Sequence, residues 1–538
     1  MTDLCFGLET EYAAIASAKI AGEAAQSRVV GALMEQARAS LAHVPALGDQ
    51  GIFLSNASRL YIDVGAHPEL AGPECNNPWD AVKYALAGDE IMHELARRAN
   101  DAHRGTSVTL FKHNVDVVSG VTWGSHESYL VGAASLERVR REIIPHLCTR
   151  LIFSGAGGFS TRDGFRFTLS PRLSDYIAHV FSNSTTSQRG LVDLRDESLA
   201  DSRYRRCHLI CGESVRSQRA AFLRIGTTAL IVALSDAECD LRSVIPAKDA
   251  LSALRLVASD VACSARLGTM AGDVVSAVGV QRYYLERVEA YLGAPFLPDW
   301  AESVCEVWRD TLDRLERGHG AVARTLDWAI KYELYSAHIH RRGFTWEQLQ
   351  QLGRVCPHLD PTLADGRVGP PGTGLLDSAG SYAGAAASAF GRAEAQRFDR
   401  RRLADFVALR SELLELDCRW AQLGPNSLFA RLDAAGVLDH RIPGLDDSTI
   451  QRARTEAPAT GRARIRGAFV ARAQDDRRRY VAGWTRACDM GGRLSLDLRD
   501  PFCAEERWQA LKQDELPEGL VPDEPRSLLS SLLRRWGP

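Results

Sequence analysis

No run of apolar residues in this 538-residue chain reaches the roughly 20 needed to cross a bilayer. Its first residues also lack a basic stretch followed by an apolar core, so the sequence reads as neither membrane-spanning nor secreted, and a cytoplasmic protein is expected. There is no excess of either charge: 65 Lys+Arg against 68 Asp+Glu leave a net charge of -3, which argues against a general nucleic-acid or membrane surface. Lysine is scarce, and most of the positive charge is on arginine. The 12 cysteines are scattered; they build no disulfide framework, and cytosolic thiols stay reduced. In Cys207-His208-Leu209-Ile210-Cys211 the two sulfurs of a strand would share a face about 13 Å apart, too far to bind one zinc. No glycine-rich strand-to-helix turn of the dinucleotide-binding kind occurs. Gly369-Pro370-Pro371-Gly372-Thr373-Gly374 opens like a phosphate loop, but Leu375 and Leu376 replace the required Lys-Ser/Thr pair and no strand precedes it. Internal repeats are absent too.

What the chain does have begins at Arg59. Read as a strand, Arg59-Leu60-Tyr61-Ile62-Asp63 puts Arg59, Tyr61 and Asp63 on one face and Leu60 and Ile62 on the other. The Gly65-Ala66-His67-Pro68 turn that follows delivers two more carboxylates, Glu69 and Glu74. Phe6-Gly7-Leu8-Glu9-Thr10-Glu11-Tyr12 alternates in the same way, with Glu9 and Glu11 on one face. Two acids so placed repel unless a cation lies between them, and a divalent ion is the economical answer.

Helical periodicity is expected over Ala24–Ala42 and Asn77–Ala99, with strands at Val108–Asn114 and Gly124–Leu130 and a helix capped by Ser135. Arg195–Asp201 reads as a loop, and Tyr204–His208 as a strand with Arg206 and His208 on one face. Beyond Gly226 the chain turns helical as far as about Arg342. The stretch from about 343 to 401, glycine-, alanine- and serine-rich over Gly366–Gly391, reads as a flexible insertion. Leu403–Leu416 returns to helix, and Pro443 marks a boundary between a large unit, 1–442, and a smaller one, 443–538, with a peripheral tail from Leu516.

Together these stretches offer Glu9, Glu11, Tyr61, Asp63, Glu69, Glu74, His126 and His208 as acids or ligands, and Arg59, Arg205 and Arg206 as anion binders. Such a set suits Mg²⁺ bridging a nucleoside triphosphate, because Mg²⁺ prefers carboxylate, water and phosphate oxygens.

Several of these pieces carry a resemblance, in order, across nearly the whole chain: Gly7–Tyr12, Ser58–Glu69, Gly124–Leu130, Arg195-Asp196-Glu197, Tyr204–His208, Leu326–Lys331, Arg462–Gly467 and Asp500-Pro501-Phe502. The set resembles the Pup ligases and their relatives, the Pup deamidases and depupylases. The resemblance implies an α+β, glutamine-synthetase-like fold: a curved antiparallel sheet backed by helices, with a small C-terminal domain. It implies Mg²⁺ ligands at Glu9, Tyr61 and Glu69, a catalytic base at Asp63, and ATP contacts at Arg59 and Trp484. Glu11, His126, Arg206 and His208 stand near them in the same site. Where the ligases contact ATP through a threonine this chain has Gly72, which offers only backbone. Ser198 and Leu199 interrupt the usual Arg-Asp-Glu-Pro-His-Ala-Asp, and Ser128 replaces an asparagine.

The activity implied is ATP-dependent ligation of the C-terminal glutamate of Pup, or a Pup-like small protein, to lysines of a protein acceptor, with no nucleic acid or membrane partner. Only about 40 residues separate the Glu9 and Arg59 strands; depupylases carry a longer insertion there. Deamidation or depupylation, and ligation of amino acids or peptides without Pup, are the alternatives.

Overall fold

A computed structural model describes residues 4–17, 23–102, 107–185, 188–195, 197–239, 241, 247–355 and 400–511. Nine strands form one sheet: β1 (Phe6–Glu11), β2 (His43–Pro45), β3 (Ile52–Leu54), β4 (Arg59–Ile62), β5 (Pro68–Ala71), β6 (Glu127–Gly132), β7 (His179–Ser182), β8 (Gly190–Asp193) and β9 (Tyr204–Leu209). Their spatial order is β7-β8-β9-β6-β1-β5-β4-β3-β2. Neighbours are antiparallel except β7 and β8, which run parallel at one edge. The expected antiparallel sheet is therefore mixed there: β9 occupies the inner side of β8, and β7 adds along its free side.

Alternation divides the sheet into a core face and a cleft face. On β1, Phe6, Leu8 and Thr10 are buried while Gly7, Glu9 and Glu11 are half-exposed. Phe6, Leu8, Tyr129, Val131, Cys207 and Leu209 join one apolar cluster with the helices behind them. Helix α1 spans Glu23–Ser40 and α2 spans Pro78–Ala102. The latter buries Ala81, Tyr84, Gly88, Ile91 and Leu95 at helical spacing. Helix α3 (Gln218–Asp236) is apolar on nearly every side and is buried over most of its length. The hydroxyl of Ser217 caps it, accepting from the Ala220 N–H at 3.1 Å.

Local expectations fail where a competing contact wins. Ser135 makes no side-chain cap, and the helix after it breaks into Leu136–Glu142 and Ile144–Thr149. Pro145 at the break has no N–H to donate to the preceding turn. Ser107–Phe111 is a strand but pairs with Ala13–Ser17, apart from the main sheet. Ile62, assigned to the apolar back of its strand, is 36% exposed, whereas Leu60 is 1% exposed. The strand ends at Ile62, so its alternation no longer holds that side chain against the core.

Residues 346–355 form a helix, Trp346–Val355, so the expected insertion cannot begin at 343. Residues 356–399, with the rejected phosphate loop, and the tail from Leu516 lie outside the described residues. Past Pro443, helix α4 (Gly461–Arg472) precedes a meander of β10 (Tyr480–Ala482), β11 (Arg486–Asp489), β12 (Leu494–Asp497) and β13 (Trp508–Ala510). Ile465, Phe469, Ala482 and Leu496 share an apolar cluster with Val44, Ala46 and Phe53. This small sheet thus closes onto the β2–β3 edge of the large one, bringing Trp484 to the cleft. Among the described residues no helix is long and apolar enough to cross a membrane.

Candidate active site

The cleft face opens into a cavity of about 460 Å³. Register sets its order. Glu9 and Arg59 both stand opposite Ala71, and Glu11 and Tyr61 both stand opposite Glu69. One level therefore holds Glu9 and Arg59, the next Glu11, Glu69 and Tyr61, and Asp63 with His67 lies beyond the strand ends. His126, just before β6, reaches both acids of β1, and His208 reaches Glu9 from β9. The nitrogens of His126 lie 3.7 Å from Glu9 Oε2 and 3.8 Å from Glu11 Oε1, and the His126 and His208 rings are 5.6 Å apart.

Ligand atoms of Glu9, His126 and His208 lie within 4.8 Å of one another, as do those of Glu11, Glu69 and His126, and those of Glu11, Asp63 and His67. Burial pushes the Glu69 carboxyl well above the usual range, and the charges of Glu9 and Glu11 push it further. Burial works against Glu9 too, but the nearby His126 ring and the charges of His208 and Arg206 hold that carboxyl below the usual range. Burial lowers the His208 pKa from its ordinary value, against the pull of Asp193. The His208 Nδ1 stands 3.4 Å from Asp193 Oδ2, and its Nε2 and the His126 Nε2 are buried without a hydrogen-bond partner. Carboxylates in mutual repulsion, with imidazole nitrogens aimed among them, fit a divalent cation. Burial and the Glu9 and Glu69 charges keep Tyr61 a phenol, with its pKa well above the ordinary value.

Eleven of the residues expected in the site line this one cleft: Glu9, Glu11, Arg59, Tyr61, Asp63, Glu69, Gly72, His126, Arg206, His208 and Trp484. The Arg59 guanidinium pairs with Asp49 and lies 4.4 Å from the Tyr61 ring centroid. Trp484 stands edge-on to Phe53 at 5.1 Å. The Gly72 N–H donates to Leu8 O at 2.8 Å. Two expected members do other work. Glu74 is locked between Arg462, at 2.5 Å, and Arg466, and is a structural ion pair. Arg205 bonds the carbonyls of Ser202 and Tyr204 and does not line the cleft.

A family model described as Pup-ligase protein matches residues 5–355 and 396–488. This chain belongs to the Pup ligase family. Among relatives in that family, the Pup–protein ligase of Brachybacterium faecium is 30% identical over 520 residues, 93% of each chain. A depupylase of Acidothermus cellulolyticus is 36% identical over 309 residues, 56% of this chain and 60% of that protein. The solved structure of the Pup ligase PafA in complex with ADP matches with a TM-score of 0.64 at 25% identity, covering 85% of this chain and 87% of that one. The helix-backed sheet with a small C-terminal sheet is thus the Pup ligase fold.

Sequence reasoning passed over three cleft residues. His67 lay in plain view in its turn, but nothing in the sequence paired it with Asp63. Arg172, at the start of a short helix (Pro171–Tyr176), and Arg189, just before β8, lie in no alternating pattern. Only the fold brings them to the cleft.

Proposed function

We propose that the cleft joins the C-terminal glutamate of Pup, or of a Pup-like protein, to a substrate lysine, using ATP and an acyl-phosphate intermediate. The observation that carries this reading is the level-by-level order of the cleft, from Trp484, Arg59 and Glu9 through Glu11, Glu69 and Tyr61 to Asp63. That order suits a nucleotide laid along the strands, with its γ-phosphate pointing to the Asp63 end. Arg59, Trp484 and the Gly72 backbone would contact ATP, and Arg206 its phosphates, through charge-assisted donors. Glu9, Tyr61 and Glu69 would hold Mg²⁺, with Glu11, His126 and His208 around them. When bound, the ion offsets phosphate charge and orients the triphosphate.

In the first step a γ-carboxylate oxygen of the glutamate attacks the γ-phosphorus, and the bond to the ADP oxygen breaks. Arg206 faces the charge that spreads over the transferring phosphoryl group. In the second step the lysine amine attacks the acyl carbon and phosphate departs. The amine is an ammonium at neutral pH and must lose a proton, which Asp63 accepts. In the same proposal the chain divides near residue 443, and the smaller unit supplies Trp484.

The B. faecium ligase is matched over 93% of its length, the depupylase over 60%; this coverage favours ligation. The higher local identity to the depupylase supports hydrolysis as a second reading. Purified protein incubated with ATP, Mg²⁺, Pup ending in glutamate and a lysine-bearing acceptor separates the two. Ligation yields ADP and an isopeptide conjugate seen by mass spectrometry. Cleavage of preformed conjugates without net ATP use would overturn it.

A further inference from the structure

Four arginines lining the cleft are matched by acids: Arg59 by Asp49, Arg195 by Asp193 at 3.1 Å, Arg206 by Glu197 at 3.5 Å and Arg462 by Glu74 at 2.5 Å. Arg172 and Arg189 line the same cleft and have no carboxylate within 4.0 Å among the described residues. Arg172 is 2% exposed. Its Nη1 donates to the carbonyls of Ile210 at 2.6 Å and Gly212 at 3.3 Å, and its buried Nε has no partner. Arg189 is half-buried and donates from Nε to Thr185 O at 2.9 Å. A buried guanidinium with no carboxylate in direct contact is costly to the fold. Buried Arg172 and half-buried Arg189, which feel the Glu11 charge only from beyond direct contact, together mark a place for an anion.

The place can be read from Gly124. Its N–H donates to Glu11 Oε2 at 2.8 Å, and a Cβ there would lie 3.0 Å from Arg172 Nη2 and 2.4 Å from His126 Nε2. Arg172 therefore stands at the Glu11 end of the acid cluster, away from the Arg59 and Trp484 end. A C-terminal glutamate carries two carboxylates. In the one that reacts, the charge passes to the phosphoryl group as an acyl phosphate forms; the other keeps its carboxylate charge throughout.

We infer that Arg172 and Arg189 form a subsite for the unreacted α-carboxylate of the donor's terminal glutamate, and so select a donor whose last residue has a free α-carboxylate. The inference rests on the ligase reading above. Bidentate guanidinium recognition fits the planar carboxylate.

The test compares Pup ending in glutamate with the same protein made with an α-amide, on wild type, Arg189→Gln and Arg172→Lys. Wild type is expected to prefer the free acid about tenfold or more in kcat/KM. Arg189→Gln should lose about tenfold on the acid, reduce the preference to within twofold, and leave the KM for ATP unchanged; Arg172→Lys, which keeps a buried cation, should fall between. Equal use of acid and amide by wild type would overturn the subsite, as would a rise in ATP KM in Arg189→Gln with the preference intact, which would give the pair to phosphate. Equilibrium binding of both donors to the ADP-bound enzyme, with the same expected ratio, reads the subsite even if no conjugate forms; absence of conjugate with every donor would instead count against the ligase reading.

Discussion

His67 holds both oxygens of the Asp63 carboxylate: its backbone N–H donates to Oδ1 at 2.6 Å, and its ring Nδ1 stands 3.1 Å from Oδ2. A carboxylate tethered at the end of a strand, past the Glu11–Glu69 level, is positioned to take a proton from an incoming amine. Asp63→Asn keeps the shape and removes the base. Conjugate formation should fall by roughly 10²- to 10⁴-fold, while Mg²⁺-ATP binding, followed by calorimetry, changes less than about twofold.

Glu74 separates structure from chemistry. Its carboxyl is held down to about 2: burial opposes ionisation, and the Arg466 and Arg462 charges outweigh it. Glu74→Gln leaves Arg466, which is fully buried, short of its counter-ion. Stability should drop by about 3–5 kcal/mol in chemical denaturation, with no change in the Mg²⁺ concentration needed for half-maximal activity. A raised Mg²⁺ requirement would return Glu74 to the ligands.

Gly72 tests the nucleotide end. A Cβ there would meet Leu8 O at 3.4 Å, an ordinary contact, and the residue has no positive φ. Gly72→Thr should fold with a stability change within about 0.5 kcal/mol and lower the KM for ATP by the addition of a hydroxyl. An unchanged KM would show that position 72 does not reach the nucleotide.

Much of this site is legible in the sequence. Period-two alternation placed Glu9 with Glu11 and Arg59 with Tyr61 on polar faces, because a strand with one buried side must alternate. What alternation cannot give is which strands adjoin, so the Glu11–Glu69–Tyr61 level appeared only with the register. Glu74 and Arg205 misled because a charged residue near a motif looks the same whether it faces a ligand or a neighbouring arginine or carbonyl. Arg172 and Arg189 lay outside any pattern. Ile62 failed for a related reason: its strand ends there, and the apolar face ends with it.

The core supplies a pH prediction. His146 is fully buried between Thr228 Oγ1, at 3.0 Å, and Gln281 Oε1, at 3.2 Å. Burial, and then the Arg150 charge, lower its pKa well below 6.5. The folded protein keeps this ring neutral while the unfolded chain takes up a proton, so its contribution is complete above pH 6.5 and declines as pH falls below it. The slope is about 1.4 kcal/mol per pH unit for one proton. His146→Gln should flatten that part of the stability profile between pH 6.5 and 5; an unchanged slope would show that other groups set it.

Acyl-phosphate formation is the central claim, and oxygen labelling tests it most directly. Pup carrying ¹⁸O in the γ-carboxylate of its terminal glutamate is incubated with the protein, ATP, Mg²⁺ and a lysine acceptor. For each isopeptide bond formed, one ¹⁸O should appear in the released phosphate. Conjugates formed with phosphate free of label would contradict the account.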